Sequence, residues 1–128
     1  MPNITRVPQE AALNETEARA RLTRALIEDG IVIVTDMASD QDSLPRLVNV
    51  IGPITPSAEG QFYDVKVEIA PTNLAFTAGP LEIHTDLPGE EAAPGVQFLH
   101  CLKNTVDGGL SLFLDVTADY QPTPPTTP

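Results

Sequence analysis

The hydrophobic period of this chain changes at Gly52, and that change constrains the fold more than any other feature of the sequence. Before it, apolar residues recur every three or four positions. In NETEARARLTRALIEDG, Ala18, Leu22, Ala25 and Leu26 follow helical spacing, Asn14 suits the N-cap, Glu15 and Glu17 suit the first turn, and Gly30 suits the stop. The β-branched run Ile31–Val34 reads as a buried strand. Asp40 can cap a second helix through QDSLPRLVNVIG, with Pro45 tolerated only near its start and Leu44, Leu47, Val48 and Ile51 as its apolar face. The first half therefore reads helix, strand, helix, after an extended lead-in over residues 1–13.

Beyond Gly52 the apolar runs shorten and turn residues cut them apart. Asp64–Ala70 alternates with period two, placing Val65, Val67 and Ile69 on one face and Asp64, Lys66 and Glu68 on the other. NLAFT, LEIHTD, GVQFLHCL and SLFLDV are further expected strands. Helices followed by strands point to an α+β domain, with helices packed beside an antiparallel sheet. The last eight residues, QPTPPTTP, hold four prolines and no apolar anchor, so residues 117–128 read as a disordered Pro/Thr-rich tail.

Charge and cysteine usage narrow the functions. A formal net charge of -11 offers no footprint for nucleic acid and repels anionic lipid. The N-terminus MPNITRVPQEAAL has no apolar core of a signal peptide, and no apolar run reaches the length of a membrane span. Cys101 is the only cysteine, so an internal disulfide is impossible, which agrees with a cytoplasmic location.

Both histidines and the cysteine fall within LEIHTDLPGEEAAPGVQFLHC. Side chains at i and i+2 of a strand share a face, so His84 and Asp86 can converge on one ion. An imidazole and a carboxylate are two thirds of the facial triad of non-haem Fe(II) oxygenases. The alternative is a surface histidine beside a turn aspartate, in a chain where 18 of 128 residues are acidic. His100, inside an apolar run, reads as a core or half-buried residue hydrogen-bonded to backbone rather than a ligand. Cys101 reads as a small buried hydrophobe.

The stretch NLAFTAGPLEIHTDLPGEEAAPGVQFLHCLKNTVDGGLSLFLD resembles the γ-butyrobetaine and trimethyllysine hydroxylase group of the taurine-dioxygenase-like Fe(II)/2-oxoglutarate oxygenases. The shared elements are an N-[LVT]-A-[YF]-T start, a strand ending in HTD, a PG-containing turn, a Q-x-[LF]-H-C strand, and T-x-x-GG before a strand ending in Asp. ALIEDGIVIV and LVNVIGPI are similar to that group's opening helix–strand–helix, which extends the likeness from Ala25 to Asp115.

The resemblance implies a partial double-stranded β-helix, jelly-roll-like, with flanking N-terminal helices, over residues 14–116. It implies Fe(II) as cofactor and 2-oxoglutarate as co-substrate. His84 and Asp86 match the first two iron ligands. Asn73, Leu99 and Ser111 match positions that contact 2-oxoglutarate, and Phe76 matches an aromatic of a trimethylammonium cage. A second cage tyrosine is replaced by Glu59, which widens the expected substrate to a small polar or cationic molecule. The group's distal histidine and its 2-oxoglutarate-binding arginine have no counterpart, since no histidine follows His100 and no arginine follows Arg46. The expectation is a dioxygenase fragment, inactive alone, that partners a complementary C-terminal chain or a second copy of itself. A non-catalytic binding or dimerisation module retaining the scaffold is the alternative.

Overall fold

A computed structural model of the chain describes residues 3–54, 56, 60–66, 79–86, 89, 95–105 and 107–116. Its regular elements lie before Gly52: strand β1 (Arg6–Pro8), helix α1 (Gln9–Asn14), helix α2 (Thr16–Glu28), strand β2 (Ile33–Thr35) and helix α3 (Ser43–Ile51). β1 and β2 pair in parallel with Val7 opposite Val34. Parallel neighbours need a crossover, and α1 and α2 supply it.

Residues 6–14 depart from the extended lead-in expected of the first thirteen residues. Val7 and Ala12 are fully buried, and they draw this segment into the core as a strand and a short helix. Asn14 is also not the N-cap of α2. It is the last residue of α1, and its side-chain amide donates to the Glu10 carbonyl at 2.9 Å. The chain breaks at Glu15, whose backbone is extended (φ -116°, ψ 122°). Arg19 stabilises the break from the next helix. Its Nε donates to the Ala12 carbonyl at 3.1 Å and its Nη2 to the Leu13 carbonyl at 2.8 Å. Those carbonyls have no partner within α1, and a guanidinium suits the negative end of a helix.

α2 stops as its sequence indicates. Gly30 takes φ 71°, the left-handed conformation that closes helices and that residues with a Cβ resist. The start of α3 is also legible: Asp40 Oδ1 accepts from the backbone N–H of Asp42 at 3.0 Å and of Ser43 at 2.8 Å. Pro45 falls in the first turn, where no intrahelical donor is lost.

The core is Val7, Ala12, Ala18, Leu22 and Leu47, flanked by Ala11, Val32, Val34, Met37 and Ile51. Full burial of a side chain such as Leu22 or Leu47 contributes about 1.5–3 kcal/mol. Gln9 is buried with them, and its Nε2 donates to the Ser43 carbonyl at 2.8 Å, tying α1 to α3. Arg21 donates to the Arg6 carbonyl at 2.9 Å and ties α2 to β1.

The second half differs from expectation. Among the described residues, 64–66, 81–86, 95–102 and 111–116 form no strand. Period-two sequence yields a strand only where a neighbour accepts its hydrogen bonds, and these segments have no such ladder partner among the described residues. Their apolar side chains are consequently exposed: Ile83 63%, Leu99 65%, Leu112 81% and Leu114 63%. The expected strand at NLAFT and most of DVKVEIA lie outside the described residues, as does the 117–128 tail. The mixture of helix and strand holds, but the strands observed belong to the helical half. No helix among the described residues is long and apolar enough to cross a membrane.

Candidate metal centre

His84 and Asp86 sit on the segment that follows Pro80, and the structure brings them together. His84 Nε2 lies 3.1 Å from Asp86 Oδ1. The other ring nitrogen, Nδ1, is 2.6 Å from the Glu82 carbonyl, which can only accept. Nδ1 therefore carries the proton, and the Nε2 side of the ring faces the carboxylate. The Glu82 contact is the main reason that the His84 pKa is raised from its ordinary value, and the Asp86 charge adds to it. Both side chains remain accessible, at 52% and 36% exposure, as a site open to small molecules requires.

The donor set fits a divalent ion of the Fe(II) type. With bonds of about 2.1 Å, two adjacent corners of a coordination octahedron lie about 3.0 Å apart. The 3.1 Å between His84 and Asp86 matches that edge. A backbone carbonyl on the far ring nitrogen is also the usual means of orienting a metal-binding histidine. Among the described residues, no group of three or more histidine, cysteine or acidic side chains is placed to hold a metal, so the pair stands as two donors.

The remaining expected site residues are more scattered. Leu99 lies in the wall of a shallow cleft of about 110 Å³, opposite Leu22, Val34, Leu44 and Leu47. Ser111 is exposed. Asn73, Phe76 and Glu59 lie outside the described residues. His100 is half-buried, as expected, and its Nε2 is buried with no hydrogen-bond partner among the described residues. Cys101 is exposed rather than buried, and no strand among the described residues covers its segment.

One residue joins the pair that its sequence role did not announce. Gln97 Nε2 donates to Asp86 Oδ2. In the sequence, Gln97 appears only as the first letter of the Q-x-[LF]-H-C element, and nothing in its type or spacing singles it out.

The description "Taurine catabolism dioxygenase TauD, TfdA family" matches residues 5–128. The chain belongs to the TauD/TfdA dioxygenase family. That match continues past Asp115, where the motif-by-motif likeness to the hydroxylase group stops. The chain is 33% identical over 105 residues to gamma-butyrobetaine dioxygenase of Pseudomonas sp. (strain AK-1), covering 82% of this chain and 27% of that enzyme. It is 34% identical over 106 residues to the human gamma-butyrobetaine dioxygenase, covering 83% and 27%. Human mitochondrial trimethyllysine dioxygenase is 24% identical over 112 residues, covering 88% of this chain and 27% of that protein. The chain thus spans about a quarter of the length of these curated relatives. No solved structure matches it.

Proposed function

We propose that this TauD/TfdA-family chain carries the first two metal ligands of an Fe(II)/2-oxoglutarate-dependent dioxygenase that hydroxylates a small polar or cationic molecule. The observation that carries the reading is the His84–Asp86 pair at the spacing of two adjacent ligands. Family membership and the gamma-butyrobetaine and trimethyllysine dioxygenase relatives support the reaction class and the size and charge of the substrate.

His84 would present Nε2 to the metal while the Glu82 carbonyl holds its Nδ1 proton. Asp86 would present Oδ1 and bring one negative charge, which favours a dication over the bare imidazole. Bound Fe(II), with 2-oxoglutarate, supplies oxygen activation for hydroxylation. Asn73, Leu99 and Ser111 would contact 2-oxoglutarate, and Phe76 would offer a ring face to a cationic substrate. Two protein ligands bind Fe(II) more weakly than three, and Fe(II) already stands low in the affinity order of divalent metals. We therefore assign hydroxylation to the chain only when a third ligand and a basic group for 2-oxoglutarate are supplied beside it. The partial double-stranded β-helix would form when the exposed segments after Gly52 find ladder partners. A cytoplasmic location agrees with the single exposed Cys101.

The test is an anaerobic titration of the chain with Fe(II) and 2-oxoglutarate, followed by the visible charge-transfer band of the chelate. The reading expects a band in the wild type that is lost in His84→Ala. A band that survives His84→Ala, or none in either protein, overturns the assignment for this chain.

A second reading has its own observation. Leu110, Leu112, Phe113, Leu114 and Val116 form an exposed apolar run, the kind of surface a docking module presents. That reading expects partner or self-association that is indifferent to His84→Ala.

A further inference from the structure

Two ligands meet at the candidate metal centre, and each is oriented by a different means. His84 is fixed locally, by the carbonyl of Glu82 two residues before it. Asp86 meets His84 through Oδ1, and among the described residues its other oxygen is held from a distant segment. The last torsion of an aspartate is broad and roughly two-fold, so its two oxygens exchange unless a neighbour distinguishes them. Gln97 is that neighbour. Its amide occupies Oδ2, leaving Oδ1 turned toward His84 Nε2.

Gln97 is anchored elsewhere. Together with Phe98 and Leu99 it lines the cleft whose opposite wall is the helical core, including Leu22, Val34, Leu44, Leu47 and Ile51. Phe98 is half-buried there. The side chain of Gln97 therefore joins the HTD segment, across eleven residues of sequence, to a segment that lines this cleft. A neutral amide suits the task. It restrains the carboxylate without a positive charge that would compete with a dication, as a lysine or arginine at this place would.

We propose that Gln97 is a positioning residue for the metal-binding carboxylate: its amide fixes Asp86 so that one oxygen faces the ion held with His84. The proposal rests on the metal reading of His84 and Asp86. Supporting groups that hydrogen-bond to a ligating carboxylate commonly contribute about tenfold or more in metal affinity.

The test is a Co(II) titration of the full chain, followed by visible absorption, in wild type, Gln97→Leu, Gln97→Ala and His84→Ala. Neither Gln97 variant has a donor, and neither adds a charge. Both Gln97 variants are expected to bind Co(II) about tenfold more weakly than wild type. Their metal-free thermal midpoints should be unchanged, because the residue is exposed. A merely structural link would move the midpoint and not the affinity. Wild-type affinity in Gln97→Leu, with binding lost in His84→Ala, overturns the positioning role and leaves the metal reading standing. Wild type binding no better than His84→Ala overturns the metal reading and the proposal with it. In the metal-free chain, the Gln97 side-chain amide resonance should lie downfield and return to its solvent-exposed position in Asp86→Ala. An amide that does not respond to Asp86→Ala overturns the contact itself.

Discussion

His84 Nε2 and Asp86 Oδ1 stand 3.1 Å apart, with the proton of the imidazole held on the opposite nitrogen by the Glu82 carbonyl. The His84 pKa is raised first by that carbonyl and then by the Asp86 charge. Because the folded-state value lies above the unfolded one, the stabilisation is fully present below the ordinary 6.5 and fades as pH rises through the raised value. An NMR titration of the metal-free chain should show His84 titrating above 6.5. Asp86→Asn should bring it only part of the way back, since the Glu82 carbonyl remains. A full return to the ordinary value would show that Asp86, not Glu82, controls the ring.

Arg19 should prove more important to stability than an exposed helix arginine usually is. Its fork satisfies the carbonyls of Ala12 and Leu13 at the end of α1. Arg19→Met should cost about 1–3 kcal/mol in urea unfolding, the scale of hydrogen bonds to a charged group. Arg19→Lys should recover only part of it, because an ammonium cannot reproduce two bonds from one plane. Equal stability of all three proteins would contradict this role.

Leu47→Ala should cost about 2–5 kcal/mol, since Leu47 is 1% exposed at the centre of a small core. Ile27→Ala, at a position 78% exposed on α2, should cost little. Urea midpoints of the two variants check the placement of the core, and similar losses for both would contradict it.

Asp40 holds the start of α3, and its pKa is lowered by the Ser43 hydroxyl and then by the Ser43 backbone N–H. A lowered folded-state value means that this contribution is present above the ordinary 3.8 and is lost as pH falls through the lower value. Asp40→Asn should therefore reduce the acid dependence of the thermal midpoint below pH 3.8. An unchanged acid profile would show that the cap is not coupled to folding.

The helical half was legible because its signals are local. Asp40, Pro45 and Gly30 act through their own backbone neighbours, and the apolar face of Leu22, Ala25, Leu47 and Val48 follows helical spacing. The break at Glu15 was not legible, because it depends on Arg19 reaching back to a different helix. The strands expected over 81–86, 95–102 and 111–116 are absent among the described residues for a related reason. Alternation specifies which face a strand would bury but cannot supply the partner that makes it a strand. At the candidate site, the sequence places His84 and Asp86 close together, but through a strand that residues 81–86 do not form, whereas Gln97 reaches Asp86 from a segment that lines the cleft beside the helical core.

The most direct test is anaerobic equilibrium dialysis of Fe(II) against the wild-type chain, His84→Ala and Asp86→Ala, with circular dichroism to confirm that all three retain their helices. One Fe(II) per wild-type chain, lost in both variants, is the expected result. Equal Fe(II) binding by the three proteins would contradict the assignment of His84 and Asp86 as metal ligands.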